Sequence, residues 1–254
     1  MRTIIYHDTI RISSEGSLMQ TQDIVALILV YLVIVAALLL SQYVQKHNID
    51  WDSRKIVHIG VGAFIYIWWA FTENWIMLVF FAIPFEIVLF LAMFPGNPVS
   101  DSKLGELTND MGHRYGLFLY VMSIIILVAF FFDHWVAATI GIVAMTRGDG
   151  FGSVIGKRYG RHKLFHGKSV EGSLGVFAAT TIISFFVIMF YGFLYTSLPS
   201  DIAVNAMTVG VVAAIGYSIL SGAIASVVEA IAPGDFDNLL IPMCVVIPLV
   251  LLGL

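Results

Sequence analysis

The stretch between Arg147 and Ser173 holds the densest group of chemically capable residues in this chain. It reads RGDGFGSVIGKRYGRHKLFHGKSVEGS and contains seven glycines and six lysines or arginines. Glycines let backbone N–H groups approach phosphate oxygens, and cationic side chains neutralise the phosphate charge. Asp149 and Glu171 add carboxylate oxygens, the ligands that Mg²⁺ prefers. The combination predicts a phosphate or nucleotide site, although it matches neither a Walker A loop nor a dinucleotide-binding fingerprint.

Helix packing is an alternative explanation for part of this stretch. Four of its glycines follow one another at intervals of four residues: Gly148, Gly152, Gly156 and Gly160. That spacing is typical of a stripe of small residues between two membrane helices. Packing alone leaves Arg147 and Asp149 without a reason to lie at membrane depth, and the two interpretations are compatible.

Acidic residues concentrate in a second segment, Ser226–Pro242, which reads SVVEAIAPGDFDNLLIP. Glu229, Asp235 and Asp237 lie within nine residues and have no lysine or arginine nearby in sequence. Because such carboxylates repel one another unless a cation neutralises them, the segment favours a divalent-metal role. Capping of the final helix by Asp237 or Asn238 is the alternative, and it would explain one of these residues.

The segment RKIVH at 54–58 places Arg54 and His58 four residues apart, on one face of a helix. Anchoring at the cytoplasmic interface would explain Arg54 and Lys55 equally well. A hydrogen bond inside the helical bundle would explain His58. The spacing leaves these alternatives open.

Two further polar positions border or enter apolar sequence. Glu86 lies near the middle of an apolar run, where a carboxylate is costly unless it is paired, neutral or beside a wet cavity. It could contact a substrate headgroup or pair with a buried base. Arg114, in the segment NDMGHRYGLFLY, could contact a headgroup or phosphate, or simply anchor the chain at the interface.

The composition indicates what must position these residues. The chain has 254 residues, of which 59% are hydrophobic and 12% charged, and its mean hydropathy is +0.92. These values predict an all-α, polytopic integral membrane protein. A net charge of −4 excludes a basic nucleic-acid binder, and the lone Cys244 excludes an internal disulfide framework.

About eight apolar runs are long enough for transmembrane helices in one bundle. They cover residues 23–44, 56–72, 75–94, 116–132, 134–156, 173–196, 203–228 and 239–254. We therefore expect a polar amino-terminal tail over 1–22 and a single transmembrane catalytic domain over 23–254. The fifth helix should either end early around a polar cavity or continue past Asp149 with that carboxylate inside the protein.

The distribution of positive charge predicts the orientation. With eight helices, the connections at 45–55, 95–115, 157–172 and 229–238 share one side, which holds 11 of the 13 lysines and arginines when Arg147 is counted with its loop. This side is expected to be cytoplasmic, with both termini outside. The candidate chemistry concentrates on the same face, which speaks against a transporter.

Three segments together resemble the CTP-dependent lipid kinases, a family that includes dolichol kinase, phytol kinase and fungal diacylglycerol kinase. They are RKIVH at 54–58, GDGFGSVIGKRYG with KSVEGS at 148–173, and SVVEAIAPGDFDNLLIP at 226–242, and GLFLY at 116–120 is a weaker match. The middle segment also resembles phosphatidate cytidylyltransferase, a related enzyme. That enzyme's carboxy-terminal signature is missing here, which favours the kinase branch.

The resemblance implies transfer of the γ-phosphoryl group of CTP, with Mg²⁺ or Mn²⁺, to the hydroxyl of a polyprenol, another isoprenoid alcohol or a similar lipid. Carried over by motif, the catalytic residues are Asp149, His58, Lys168 and Glu171, with Asp149 the first choice of general base, His58 the second, and Glu171 orienting Lys168. The metal ligands are Asp149, Glu229, Asp235 and Asp237. The nucleotide or phosphate contacts are Arg54, Lys55, Gly148, Gly150, Lys157, Arg158, Lys163 and Ser169. The lipid contacts are Glu86, Arg114 and Asn238.

This interpretation makes a geometric prediction. Asp149, Glu229 and Asp237 should converge on one cytoplasm-facing cavity, with Arg54 and Lys168 at its rim. A cytidylyltransferase making a CDP-lipid would share the nucleotide site but need a phosphorylated acceptor. A transporter would explain the helices and Glu86, but not the one-sided clusters.

Overall fold

The computed structural model describes residues 19–47, 53–109, 115–199 and 207–254. Arg114 and most of the expected amino-terminal tail lie outside these ranges, and only the backbone of Arg54 is described. The described residues of the first half of the chain include five long or short helices besides 3₁₀ turns. They are α1 (Thr21–Lys46), α2 (Ser53–Val61), α3 (Asn74–Ala92), α4 (Lys103–Asn109) and α5 (Gly116–Phe130). A 3₁₀ segment, Gly62–Tyr66, extends α2.

The second half contains the helices that carry most of the candidate residues. They are α6 (Trp135–Val143), α7 (Asp149–Tyr159), α8 (Val170–Ser197), α9 (Val211–Ile231) and α10 (Asp237–Leu251). A π-helical segment, Ala144–Gly148, joins α6 to α7 without a break. The described part of the chain contains no β-strand.

The helices have the lengths and the surfaces of a membrane protein. Five helical segments are long and apolar enough to span a bilayer: Thr21–Lys46, Asn74–Ala92, Val170–Ser197, Val211–Ile231 and Gly234–Leu251. Two shorter apolar helices, Lys55–Tyr66 and Gly116–Phe130, accompany them. Large apolar side chains such as Leu39 and Phe186 face outward, as lipid contact requires. The prediction of an all-α polytopic membrane protein is confirmed, and the count of eight spans stays a prediction.

Helix α6 lies in the centre of the bundle, since every residue from Trp135 to Val143 is buried. A helix that is apolar on all sides belongs in such a position. Small residues let its neighbours approach closely: a Cβ at Gly141 would lie 2.4 Å from Cγ2 of Val246 in α10. The buried helix α6 therefore holds the segment that follows it, which contains Asp149, in a closely packed position.

The continuous path from α6 into α7 decides between the two expectations for the fifth helix. The helix does not end before Arg147, and Asp149 is buried at the start of α7. The second alternative, a continuing helix with the carboxylate inside the protein, is confirmed.

The predicted stripe of glycines packs this helix against α8. A Cβ added at Gly148 would lie 2.3 Å from Oγ1 of Thr180, and one at Gly152 would lie 2.3 Å from Cγ2 of Val176. Further along, Gly156 and Gly160 both face Ser169. The packing interpretation of the four-residue spacing is confirmed.

Candidate active site

Lys168 joins two acidic residues from different helices. Its Nζ donates hydrogen bonds to Oε1 of Glu229 at 2.8 Å, at the end of α9, and to Oδ2 of Asp237 at 3.0 Å, at the start of α10. Both carboxylates are buried, and Oε2 of Glu229 also accepts a hydrogen bond from Oγ of Ser173 at 3.0 Å. Lys168 thus pairs with two of the three carboxylates in the acidic segment that the sequence singled out.

The loop before α8 is shaped to present this lysine. His166 and Gly167 have φ values of 52° and 78°, in the left-handed region that only glycine enters without cost. The turn closes through a hydrogen bond from the N–H of Lys168 to the carbonyl of Phe165 at 3.0 Å. Ser169 then caps α8 by accepting from the N–H of Gly172. The cap fixes where α8 begins and therefore where Lys168 stands.

A second ion pair joins Lys55 of α2 to Oδ2 of Asp149. Asp149 is 3% exposed. The same region of α2 is held by His58, whose Nε2 lies 3.1 Å from the carbonyl of Met145 and whose ring is tilted against that of Tyr120, with 4.3 Å between the ring centroids. The alternative of a His58 hydrogen-bonded inside the bundle is confirmed, and it attaches α2 to the π-helical segment beside Asp149.

The two ion pairs belong to one electrostatic group. Burial lowers the pKa of the Lys168 ammonium, but the carboxylates of Asp237, Asp149 and Glu229 outweigh burial and hold that pKa above its ordinary value. Lys168 is therefore protonated at neutral pH. We call this set of two lysines and three carboxylates the ion-pair cluster: Lys55, Lys168, Asp149, Glu229 and Asp237.

The ion-pair cluster brings together distant parts of the chain. Its members come from the connections at 45–55, 157–172 and 229–238 and from the helix that holds Asp149. The connection at 95–115 joins the same end of the bundle, because Oδ2 of Asp235 accepts a hydrogen bond from the N–H of Tyr115 at 3.2 Å. Asp235 is two residues from Asp237 in sequence, and its carboxylate accepts a hydrogen bond from Tyr115.

The carboxylates of the ion-pair cluster are candidate ligands for a metal ion that a phosphate also holds. Within the described ranges, no three His, Cys, Asp or Glu side chains gather closely enough to hold a metal. Mg²⁺ is commonly bound through one or two carboxylates together with phosphate oxygens, and the carboxylates of the cluster are donors of that kind. The assignment of Asp149, Glu229, Asp235 and Asp237 as metal ligands stays a prediction.

Several expected phosphate contacts have other positions. Gly148 and Gly150 are buried inside a continuous helix, where Gly150 packs on Ile59, so their N–H groups do not form a phosphate loop. The helical backbone speaks against the expected phosphate contacts of these two glycines. Three basic side chains remain exposed, outside the ion-pair cluster: Lys157, Arg158 and Lys163.

Glu171 does not orient Lys168, contrary to expectation. Its carboxylate accepts hydrogen bonds from the N–H groups of Arg161 and His162 at 3.1 and 3.3 Å, and from Nδ1 of His162 at 2.7 Å. Lys168 points instead to Glu229 and Asp237. Glu171 therefore holds the loop after α7.

Two of the residues expected to contact the lipid, Glu86 and Asn238, have buried side-chain oxygens without a hydrogen-bond partner among the described residues. Glu86 is buried in α3, and neither of its carboxylate oxygens has a hydrogen-bond partner among the described residues. The side-chain Nδ2 of Asn238 donates to the carbonyl of Asp235 at 3.2 Å, whereas its Oδ1 is buried without a partner in the same described set. Both groups can accept a hydrogen bond from a ligand.

The curated proteins that this chain resembles are named phytol kinase or probable phytol kinase. The phytol kinase of Synechocystis sp. is 30% identical over 197 residues, which is 75% of this chain and 75% of that protein. The chain belongs to the phytol kinase family. A probable chloroplastic phytol kinase of Triticum aestivum is 30% identical over 205 residues, or 75% of this chain and 64% of the relative.

A third phytol kinase relative, from Oryza sativa subsp. japonica, is 28% identical over 214 residues, which is 79% of this chain and 64% of that protein. This chain therefore spans less than two thirds of the two plant relatives. No protein-family model matches the chain, and no solved structure matches it. Membership of the phytol kinase family confirms the predicted resemblance to lipid kinases.

Proposed function

We propose that this protein is a membrane kinase that transfers the γ-phosphoryl group of CTP to the hydroxyl of an isoprenoid alcohol, with phytol as the first candidate. The observation that carries the proposal is the ion-pair cluster, found in a chain of the phytol kinase family. Phosphoryl transfer depends mainly on positioning and on electrostatic stabilisation, and a buried set of lysines and carboxylates is suited to both.

Binding of nucleotide and metal would replace the ion pairs within the cluster. Without ligand, Lys55 pairs with Asp149, and Lys168 pairs with both Glu229 and Asp237, which leaves one negative charge in excess. Nucleotide phosphates would take over the two ammonium groups. Asp149, with Glu229 or Asp237, would then hold Mg²⁺ or Mn²⁺, which supplies charge neutralisation at the phosphate oxygens. Nucleotide and metal therefore favour each other's binding, because each releases groups that the other needs.

Asp149 is the residue that we assign as general base. The lipid hydroxyl oxygen forms a bond to the γ-phosphorus while the bond from that phosphorus to the β–γ bridging oxygen breaks, and CDP leaves. The hydroxyl proton passes to a carboxylate oxygen of Asp149. His58 is less suited to this step, because its Nε2 already faces the carbonyl of Met145.

The acceptor would reach the cluster from the bilayer. Phytol is a long apolar chain with one hydroxyl, so its chain can lie among apolar helices while the hydroxyl stands at the cluster. The unsatisfied oxygens of Glu86 and Asn238 would accept hydrogen bonds on this route, and we keep Arg114 as a further headgroup contact. We assign the cluster to the cytoplasmic face and both termini to the opposite side, on the distribution of positive charge.

The test uses purified protein and CTP labelled with ³²P at either the α or the γ position, with phytol as acceptor and, in parallel reactions, a phosphorylated lipid. The proposal expects γ-label in a lipid monophosphate, with unlabelled CDP as the second product. Label from the α position in lipid, with release of pyrophosphate, would identify a cytidylyltransferase. No transfer from either position to any of several lipid alcohols or phosphorylated lipids would contradict an enzymatic function. ATP and GTP in parallel reactions test the choice of CTP.

A further inference from the structure

Arg147 carries a positive charge inside the bundle and is not used by the proposed reaction. Its Nη1 donates to the carbonyl of Gly62 at 3.2 Å and to Oγ1 of Thr146 at 3.3 Å. Its Cζ lies 5.6 Å from the ring centroid of Tyr66. These partners are neutral, and no Asp or Glu in the described ranges forms an ion pair with Arg147.

Most of the hydrogen-bonding capacity of this guanidinium is unused. A guanidinium has five N–H donors, and both protein contacts of Arg147 are made by Nη1. Its Nε and Nη2 donors meet no acceptor within the described part of the chain. A cation in a membrane span is costly, and such residues commonly serve a substrate or ion. Lys55 and Lys168, by contrast, are each neutralised by carboxylates.

Arg147 reaches toward the bilayer side of the ion-pair cluster. Its partner Gly62 comes seven residues after Lys55, which is about 10 Å further along a helix. Tyr66, over whose ring the guanidinium lies, is 40% exposed on the outer surface of the bundle. A nucleotide arriving from the aqueous side would meet Lys55 and Lys168 before it met Arg147.

We propose that Arg147 binds the phosphate group of the lipid monophosphate, the product of the proposed kinase. This inference rests on the proposed function for the identity of the ligand. A phosphate attached to a lipid would lie between the cluster and the bilayer, where Arg147 has free donors, and an arginine binds phosphate through paired N–H···O bonds. The neutral alcohol gains no ion pair, so Arg147 distinguishes product from substrate.

The experiment measures equilibrium binding of phytyl monophosphate, of phytol and of a non-hydrolysable CTP analogue to purified protein in detergent. The variants are Arg147→Gln, which removes the charge, and Arg147→Lys, which keeps the charge and loses the planar fork. Arg161→Gln, at an exposed arginine of the loop, is the matched control. Because binding is measured directly, the result does not depend on whether CTP is the true donor or on turnover.

We expect the wild-type protein to bind phytyl monophosphate at least about ten-fold more tightly than phytol, the scale of one hydrogen-bonded charge. Arg147→Gln should lose that preference, Arg147→Lys should keep part of it, and Arg161→Gln should keep all of it. Equal wild-type affinity for the two lipids would overturn the inference, even if Arg147→Gln did not fold. A preference retained by Arg147→Gln, or lost affinity for the CTP analogue alone, would also overturn it.

Discussion

Replacing Lys168 by methionine should weaken both the fold and nucleotide binding, for reasons that can be separated. The side chain of Lys168 is 22% exposed, whereas those of Glu229 and Asp237 are 6% and 10% exposed. Removing one partner of a buried ion pair costs about 3–5 kcal/mol, because the remaining charge is left uncompensated. Since water reaches part of Lys168, we expect about 3 kcal/mol, which corresponds to a fall of about 6–12 °C in Tm for a chain of this size.

The assay compares three proteins by thermal unfolding and by the KM for CTP. Lys168→Met should show the fall in Tm and a rise in KM of about ten-fold or more, the scale of one charged hydrogen bond. Adding Glu229→Gln and Asp237→Asn removes the stranded charges, so Tm should recover while nucleotide use does not. Lys46→Met, at an exposed lysine at the end of α1, is the control and should change neither quantity.

An unchanged Tm in Lys168→Met would mean that the ion pairs to Glu229 and Asp237 do not stabilise the bundle. An unchanged KM for CTP would remove Lys168 from the nucleotide site. Recovery of nucleotide use in the triple variant would show that only the stranded charges had disturbed the protein, and that the lysine itself does not bind phosphate.

Two further predictions concern the lipid and the metal. Glu86→Gln should change the KM for the alcohol several-fold and leave the KM for CTP unchanged, because the unsatisfied carboxylate of Glu86 lies within an apolar span. Glu106→Gln, at an exposed position, is the control. Equal effects of Glu86→Gln on the KM values for both substrates would contradict the assignment of Glu86 to the lipid. Activity should vanish in excess EDTA and return with Mg²⁺ or Mn²⁺, because two lysines cannot neutralise three carboxylates and a triphosphate together. Full activity in excess EDTA would exclude the proposed role of a metal ion.

The sequence predicts the helices well because their signal is local. Apolar runs of about 20 residues require helices in a bilayer, whatever lies beside them. The spacing of Gly148, Gly152, Gly156 and Gly160 likewise predicts a packed face, since residues four apart share one side of a helix. The π-helical segment Ala144–Gly148 has no comparable local signal in the sequence.

The partners within the site are not visible in the sequence. Lys55 and Asp149 are 94 residues apart, and Lys168 and Asp237 are 69 apart, so the fold alone brings them together. The charge distribution does place them at one end of the bundle. Glu171 misleads because nearness in sequence to Lys168 suggests a contact, whereas the turn at His166 and Gly167 directs the lysine elsewhere. Ser173, a partner of Glu229, lies in the quoted motif and has no distinguishing pattern.

The central claim is that Asp149 is the chemical centre of a phosphoryl-transfer site, and the rate of γ-phosphoryl transfer from CTP to phytol by Asp149→Asn tests it most directly. Asparagine keeps the shape and loses the charge that a metal or a proton needs. Because the change also strands Lys55, the double variant Lys55→Met/Asp149→Asn serves to show that the protein still folds. We predict a rate at least about 100-fold below wild type in a folded protein, the scale of losing a key electrostatic contact. A folded variant that keeps more than about a tenth of the wild-type rate would contradict the account, because the site would then work without the carboxylate on which it is built.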